Sequence, residues 1–391
     1  MAFDQLTAFL DSLKEQYGIP GYDIIITRGH ETVYRHAGGH SDYEGCVPVN
    51  GSELYYIYSA TKVITMTAAM QLIQAGKMGL DDPVSRYLPE YAQMQVADRC
   101  QLGIWPPDVP TLKDPHHPAR TPITLRMLMA MTAGLNYDIA GEPIRKMKEA
   151  TGNRATTREM VGAIAEMPLC FEPGTRWSYC LGHDVIAAVI EVVSGMRFSE
   201  YLARNIFEPL GIREMYFHPT EAQRARLMAQ YLAGPQPGQM KPVPQENSFC
   251  LSECYESGGA GICCSAEAYS AFMEALANGG VGRNGAQILT PAGIALLSEN
   301  QLSEGILPDF QTAWRKEYGY ALGVRTMLQP VTALSPVGEF GWDGAAGAYA
   351  LADPVNRISI FYAQEVLGMN IVYQEVHPKL RDLTYKAMGL A

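Results

Sequence analysis

Residues 55–70 read Tyr55-Tyr56-Ile57-Tyr58-Ser59-Ala60-Thr61-Lys62-Val63-Ile64-Thr65-Met66-Thr67-Ala68-Ala69-Met70, and this stretch decides how the rest of the chain is read. The run before Ser59 is aromatic or β-branched and suits the end of a strand. From Ser59 a helix is predicted through Gln71, Leu72 and Ile73 to Gly76, the residue type that best tolerates a left-handed C-cap. No continuous polar face runs from Ala60 to Met70, so the helix is expected to be buried and central. Lys62 is then anomalous, because a buried ammonium needs a partner or gives up its proton. Spaced i and i+3, Ser59 and Lys62 share one helix face. The N-terminal field of the helix favours negative charge at Ser59, and with burial it lowers the Lys62 pKa, so a neutral amine could take the serine proton. The plainer alternative is an N-cap serine beside a lysine whose stem snorkels to water.

Working outward, Phe3, Leu6, Phe9, Leu10, Leu13 and Tyr17 recur at helical spacing, and Gly18-Ile19-Pro20-Gly21 ends that helix. Residues 22–27 and 32–36 read as a hairpin, and 54–58 as a third strand that delivers Ser59. Residues 84–120 are rich in proline and turn residues, including Trp105-Pro106-Pro107 and Asp114-Pro115-His116-His117-Pro118. Helical patterns follow at 123–133, 142–150, 156–167, 183–194 and 198–207, and 234–247 resembles a linker loop. A helix at 265–278 precedes strands at 320–328, 339–342, 346–352 and 357–363, and a terminal helix covers 373–388. The expectation is an α/β (α+β) fold. Strands from both chain ends share one antiparallel sheet flanked by helices, formed by 1–85 plus 246–391, with 86–245 inserted as a mostly helical second lobe.

A chain of 391 residues can bury a large core, and a net charge of −11 argues against nucleic acid and anionic membranes as partners. The first residues lack the basic and apolar regions of a signal peptide, and the run from Val185 to Val193, interrupted by Glu191, is too short to span a bilayer. Eight cysteines, with Cys263-Cys264 adjacent, show neither a disulfide framework nor paired zinc spacing, so reduced thiols in a cytoplasmic protein are expected. His116-His117 lacks companion ligands and reads as surface loop; no metal or cofactor is implied.

Two further segments carry chemistry. Tyr179, in Trp177-Ser178-Tyr179-Cys180-Leu181-Gly182-His183-Asp184, stands in a loop before a helix. A phenol near an ammonium has a lowered pKa, so Tyr179 is a candidate proton carrier beside Lys62; a buried aromatic with a satisfied hydroxyl is the alternative. His183 and Asp184 read as a helix N-terminus. Gly341-Trp342-Asp343-Gly344-Ala345-Ala346-Gly347 is a glycine-rich strand edge, either an approach for a ligand with a backbone N–H for an oxyanion, or a bulge in a packed strand.

In order and rough spacing, Ser59-Ala60-Thr61-Lys62, Tyr179-Cys180-Leu181 and Trp342-Asp343-Gly344 resemble the three motifs of the serine β-lactamase-like superfamily, which includes class C β-lactamases, penicillin-binding DD-peptidases and related esterases. Similarity extends through Gly76-Lys77-Met78-Gly79-Leu80-Asp81-Asp82-Pro83-Val84, Met131-Thr132-Ala133-Gly134-Leu135, Phe207-Glu208-Pro209-Leu210-Gly211-Ile212 and Ser257-Gly258-Gly259-Ala260-Gly261. The resemblance implies Ser59 as nucleophile, Lys62 and Tyr179 as proton carriers, and the N–H groups of Ser59 and Ala345 as the oxyanion site. Leu181, Trp342, Asp343 and Gly344 would contact substrate.

Leu181 stands where many relatives have Asn, Trp342 where they have a carboxylate-binding Lys, and Asp343 where they have a hydroxyl residue. An aromatic there is similar to the esterase-like branch, and a cleft-facing Asp343 should repel carboxylates. The expectation is therefore a carboxylesterase acting on a small-molecule ester through a Ser59 acyl-enzyme. Alternatives are a β-lactamase, a D-aminopeptidase or amidase that holds an amine on Asp343, and a penicillin-recognising protein without turnover. The absence of Gly-x-Ser-x-Gly disfavours the α/β-hydrolase arrangement.

Overall fold

The computed structural model describes residues 2–103, 109–236 and 238–390; Trp105-Pro106-Pro107 lies outside them. A seven-stranded antiparallel sheet runs Tyr318–Tyr320, Arg325–Met327, Phe340–Gly341, Tyr349–Asp353, Ile358–Ala363, Gly21–Arg28, Glu31–Gly39 in spatial order. The two chain ends meet where Ile25 pairs with Phe361 and Ile24 with Tyr362. Alternation then sorts the side chains by face. Ile25, Ala350 and Phe361 enter the large core under the helix Ala266–Ala277. Ile24, Ile26, Leu351, Ile360 and Tyr362 enter a smaller core covered by the helices Asp4–Asp11 and His377–Ala387.

The central helix is Thr61–Gln74, buried along nearly its whole length, and Gly76 takes a left-handed φ of 67° just beyond it. It packs against the helix Gly182–Ser194, whose Val185, Ile186, Val189 and Ile190 are fully buried. One continuous apolar cluster joins Ile25 of the sheet, Val63 and Met66 of the central helix, and Ile186 and Leu202 from residues 86–245.

Several local expectations are corrected. The strand before Ser59 is short, Leu54–Tyr56, and pairs with Cys263–Ser265 in a separate three-stranded sheet completed by Met215–Tyr216. The linker-like stretch carries a strand, Met240–Val243, paired with Gln230–Ala233, which in turn pairs with Val366–Leu367. Pro242 is tolerated there because Met240–Val243 is an edge strand. His116–Pro118 is a short strand rather than a loop, with His117 bonded to Asp98 at 2.8 Å and Glu172 at 3.3 Å. Helices Pro291–Ser298 and Leu307–Ala313 had no counterpart in the sequence reading. The cysteines are not all reduced. Cys100 and Cys170 form a disulfide, 5.1 Å apart at Cα, and six other cysteines are free.

Candidate active site

Ser59 lies in a 3₁₀ turn, Tyr58–Ala60, between the short strand and the central helix. The chain turns sharply there because Tyr58 adopts φ 43°, a left-handed value that costs a non-glycine residue about 1–3 kcal/mol. Surrounding bonds hold it. Gln230 donates to the Tyr58 hydroxyl at 2.6 Å and to Glu365 at 3.2 Å, and the Tyr269 hydroxyl donates to the Ala60 carbonyl at 2.8 Å. Ser59 is thereby fixed at the cleft floor, with 9% of its surface exposed.

Lys62 is fully buried. Its Nζ donates to the Gly259 carbonyl at 2.6 Å, to Ser59 Oγ at 3.2 Å and to the Tyr137 hydroxyl at 3.4 Å, and it stands 4.8 Å above the Tyr179 ring. Burial drives its pKa down to about 7, against the opposing pull of the Asp184 charge. The lysine does not snorkel to water; its amine is held inside the fold against Ser59 Oγ.

Tyr179 is stacked between Tyr137, at 5.1 Å, and Trp342, at 5.8 Å. Trp342 Nε1 donates to its hydroxyl at 3.1 Å. The expected lowering of the Tyr179 pKa is overturned. Burial pushes the phenol above its ordinary value, and hydrogen bonds with Ser59 and Trp342 offset this only in part. At neutral pH Tyr179 is therefore an O–H donor.

Two residues given no part in the site by the sequence belong to this cluster. Tyr137 follows the Met131–Leu135 segment and lines the cleft beside Ser59. Asp184 occupies the helix N-terminus as expected, but it is buried, and its Oδ1 accepts from the Tyr255 hydroxyl and Ser257 Oγ, each at 2.6 Å, and from the Gly259 N–H at 3.3 Å. That web sets the Gly259 carbonyl on Lys62. A Cβ at 259 would sit 2.6 Å from Asp184 Oδ2, which explains the glycine. The available signal was an acid placed just ahead of the apolar run at residues 185–190. His183 is buried beside it, donates from Nε2 to the Met129 carbonyl at 3.1 Å, and is held neutral with a pKa near 3 by burial.

The third segment turns tightly. The Gly344 N–H donates to Ala348 and the Gly347 N–H to Gly344, at 2.8 and 2.9 Å. A side chain at Gly344 would strike the Ile57 carbonyl, so the turn lies directly against the chain that leads to Ser59. The Tyr373 hydroxyl bridges the Gly344 and Ala345 carbonyls at 2.8 and 2.9 Å. The N–H groups of Ser59 and Ala345 have no acceptor among the described residues, and both residues line the cleft.

Two substrate-contact expectations are corrected. Leu181 is buried, donates its N–H to the Asn136 carbonyl at 3.0 Å, and is absent from the cleft wall. Asp343 borders the cleft, but its carboxylate turns inward to Arg325, 2.7 Å away, with His377 at 3.5 Å. Burial opposes ionisation, yet Arg325 and His377 outweigh it and hold the carboxyl below the usual range. Its charge is compensated by Arg325, so the repulsion assigned to it falls away.

The cleft itself encloses about 600 Å³ and is walled by Tyr137, Trp177, Tyr179, Phe249, Trp314, Trp342 and Tyr373. Such a surface suits an apolar or aromatic acyl ester. Among the described residues, no cluster of three or more His, Cys, Asp or Glu side chains is arranged to hold a metal ion.

The fold and the relatives together define a serine hydrolase of the β-lactamase-related type. The family model described as Beta-lactamase matches residues 6–370, and the chain belongs to that family. It is 29% identical over 359 residues to the acyltransferase calJ of Penicillium decumbens, covering 86% of this chain and 81% of that one. It is 30% identical over 293 residues to the esterase EstB of Burkholderia gladioli, covering 70% and 69%. Among solved structures, EstCE1, a hydrolase with promiscuous acyltransferase activity, superposes with a TM-score of 0.78 at 23% identity over 98% of both chains. The LovD6 mutant of simvastatin synthase from Aspergillus terreus gives 0.80 at 20%, over 100% of this chain and 98% of that one. At these identities the structural likeness establishes the fold.

Proposed function

We propose that the protein is a carboxylesterase that works through an acyl-enzyme on Ser59. The observation that carries this reading is the Lys62 amine, 3.2 Å from Ser59 Oγ with a pKa near 7, at the floor of an aromatic cleft. Ser59 Oγ attacks the ester carbonyl carbon while its proton passes to neutral Lys62. The carbonyl electron pair moves to oxygen, where the N–H groups of Ser59 and Ala345 receive it. Collapse expels the alkoxide, which takes a proton from the Tyr179 hydroxyl and leaves as the alcohol; Lys62 passes the proton it took from Ser59 to the phenolate, and the Trp342 indole stabilises the phenol oxygen meanwhile. Water then enters where the alcohol left and attacks the acyl carbon as its proton passes to the same pair; collapse breaks the bond to Ser59 Oγ, which takes a proton back from the pair, and the acid is released. An acceptor alcohol in place of water would make the same intermediate a transferase, as the name of the calJ relative records for that protein.

Residues 1–85 plus 246–391 would supply nucleophile, base and oxyanion turn, with 86–245 contributing Tyr137 and Tyr179 from the opposite side. Among the described residues no helix is long and apolar enough to cross a membrane. The Cys100–Cys170 bridge weighs toward a non-reducing compartment, against the cytoplasmic location expected from the thiols.

The test is a substrate panel of p-nitrophenyl butyrate, nitrocefin and amino-acid p-nitroanilides. Hydrolysis of the ester ahead of the other two supports the reading, because Trp342 leaves no cation on the oxyanion turn for a lactam carboxylate. Nitrocefin turnover that rivals the ester would contradict it.

A further inference from the structure

Of the residues lining the cleft only Asp343 and Arg315 carry charge, and they differ in how that charge is met. Asp343 is compensated by Arg325, which also approaches Glu339 at 3.7 Å, and nearby Arg381 meets Asp382 at 2.8 Å. Arg315, half-buried, has no carboxylate within ion-pair distance among the described residues. Its Nη2 donates to the carbonyls of Tyr373 and Gln374 at 2.8 and 2.9 Å. Those bonds fix the guanidinium against the cleft wall and engage one of its three nitrogens. The remaining donors are Nε–H and the two N–H groups of Nη1, and Nη1 can give a carboxylate a single charge-assisted bond. Flanking groups on the same wall, Asn370 and Gln374, are neutral amides. Arg315 adds to the pull of Arg325 and His377 on the Asp343 carboxyl without making a contact ion pair with it, and a cation so placed in an aromatic cleft of a chain with net charge −11 is a local inversion of the protein's own field.

We propose that Arg315 makes this a site for anionic esters: substrates whose scissile ester lies over Ser59 while a carboxylate elsewhere on the molecule is held by the Arg315 guanidinium. This rests on the esterase reading above and narrows its substrate class. The anion sits on the loop after the helix Leu307–Ala313, away from the Trp342–Gly344 turn. The competing role is structural, since Arg315 also braces the segment that presents Tyr373 to the oxyanion turn.

The experiment compares p-nitrophenyl monoesters of succinic, glutaric, adipic and suberic acid with neutral p-nitrophenyl alkanoates of matched length, in the full chain and in Arg315→Gln and Arg315→Lys. A charge-assisted bond of about 1.5–3 kcal/mol corresponds to a preference of about tenfold to a hundredfold in kcat/KM for the monoester of fitting length. That ratio should collapse in Arg315→Gln, persist in part in Arg315→Lys and shrink with added salt. Should Arg315→Gln not fold, adipate against adipamide as inhibitors of butyrate-ester hydrolysis by the unmodified protein reads the same preference. Equal ratios in the unmodified protein and Arg315→Gln, or equal inhibition by the two adipic compounds, overturn the proposal while the esterase reading stands. A parallel loss on anionic and neutral esters in Arg315→Gln assigns the arginine the structural role alone. Failure of every ester, with no fluorophosphonate labelling of Ser59, removes both.

Discussion

Trp342 Nε1 donates to the Tyr179 hydroxyl at 3.1 Å, so the residue that stands at the lysine position of the third motif is bonded to the proposed proton carrier of the second. Trp342→Phe keeps the stacked wall and deletes that one donor. A neutral hydrogen bond of about 0.5–1.5 kcal/mol predicts a kcat lower by about threefold to tenfold on p-nitrophenyl butyrate, with KM little changed. Steady-state kinetics check this. An unchanged kcat would show that the indole N–H plays no part in proton transfer.

Lys62, with its pKa lowered to about 7, predicts that kcat/KM rises with pH through about 7 and then levels. The same shift acts on stability. Between about 7 and the ordinary lysine value the unfolded chain binds more protons than the native one, so stability rises with pH across that window, and below it the cost of the buried charge is complete. Lys62→Met should therefore melt higher than the unmodified protein at pH 6, and the gap should close by pH 10. Lys62→Arg should be inactive, since a guanidinium is no base near neutral pH. An active arginine variant would show that only positive charge is required.

Asp343 was read from the sequence as a cleft charge, and its pairing with Arg325 changes what its loss should do. Removing one partner of a buried ion pair costs about 3–5 kcal/mol. Asp343→Asn should thus lower the denaturant midpoint markedly and leave the preference for neutral esters over nitrocefin where it was. Chemical unfolding together with the two kcat/KM values separates the outcomes; a narrowed preference at unchanged stability would restore the sequence-based view.

What was legible in the sequence was what is written locally. The Ser59–Lys62 junction is a three-residue spacing on one helix face, and residues 22–27 and 32–36 flank a turn that marks the first hairpin. The helix Glu142–Ala150 stands where periodicity put it, with Pro143 in its first turn. The misses are long-range pairings. Tyr137 meets Lys62 across 75 residues, and nothing near either residue announces it. Asp343 and Arg325 meet through sheet pairing, in which Gly341, two residues before the aspartate, lies opposite Arg325. The strand Leu54–Tyr56 is too short for its alternation to say which sheet it joins, and its partner Cys263–Ser265 is distant in sequence.

The Cys100–Cys170 bridge predicts six titratable thiols in protein denatured without reductant, against eight after reduction. Reaction with a thiol reagent in denaturant counts them directly. Eight before reduction would mean that the bridge does not form in the purified protein.

The central claim is a covalent intermediate on Ser59, and trapping it is the most direct measurement. The protein is incubated with p-nitrophenyl butyrate, quenched in acid within the first turnovers and analysed by intact and peptide mass spectrometry. The account predicts one butyryl group on the peptide containing Ser59, none in Ser59→Ala, and for that variant a rate lower by several orders of magnitude. An acyl group on another residue, or Ser59→Ala retaining more than about a tenth of the rate, would contradict it.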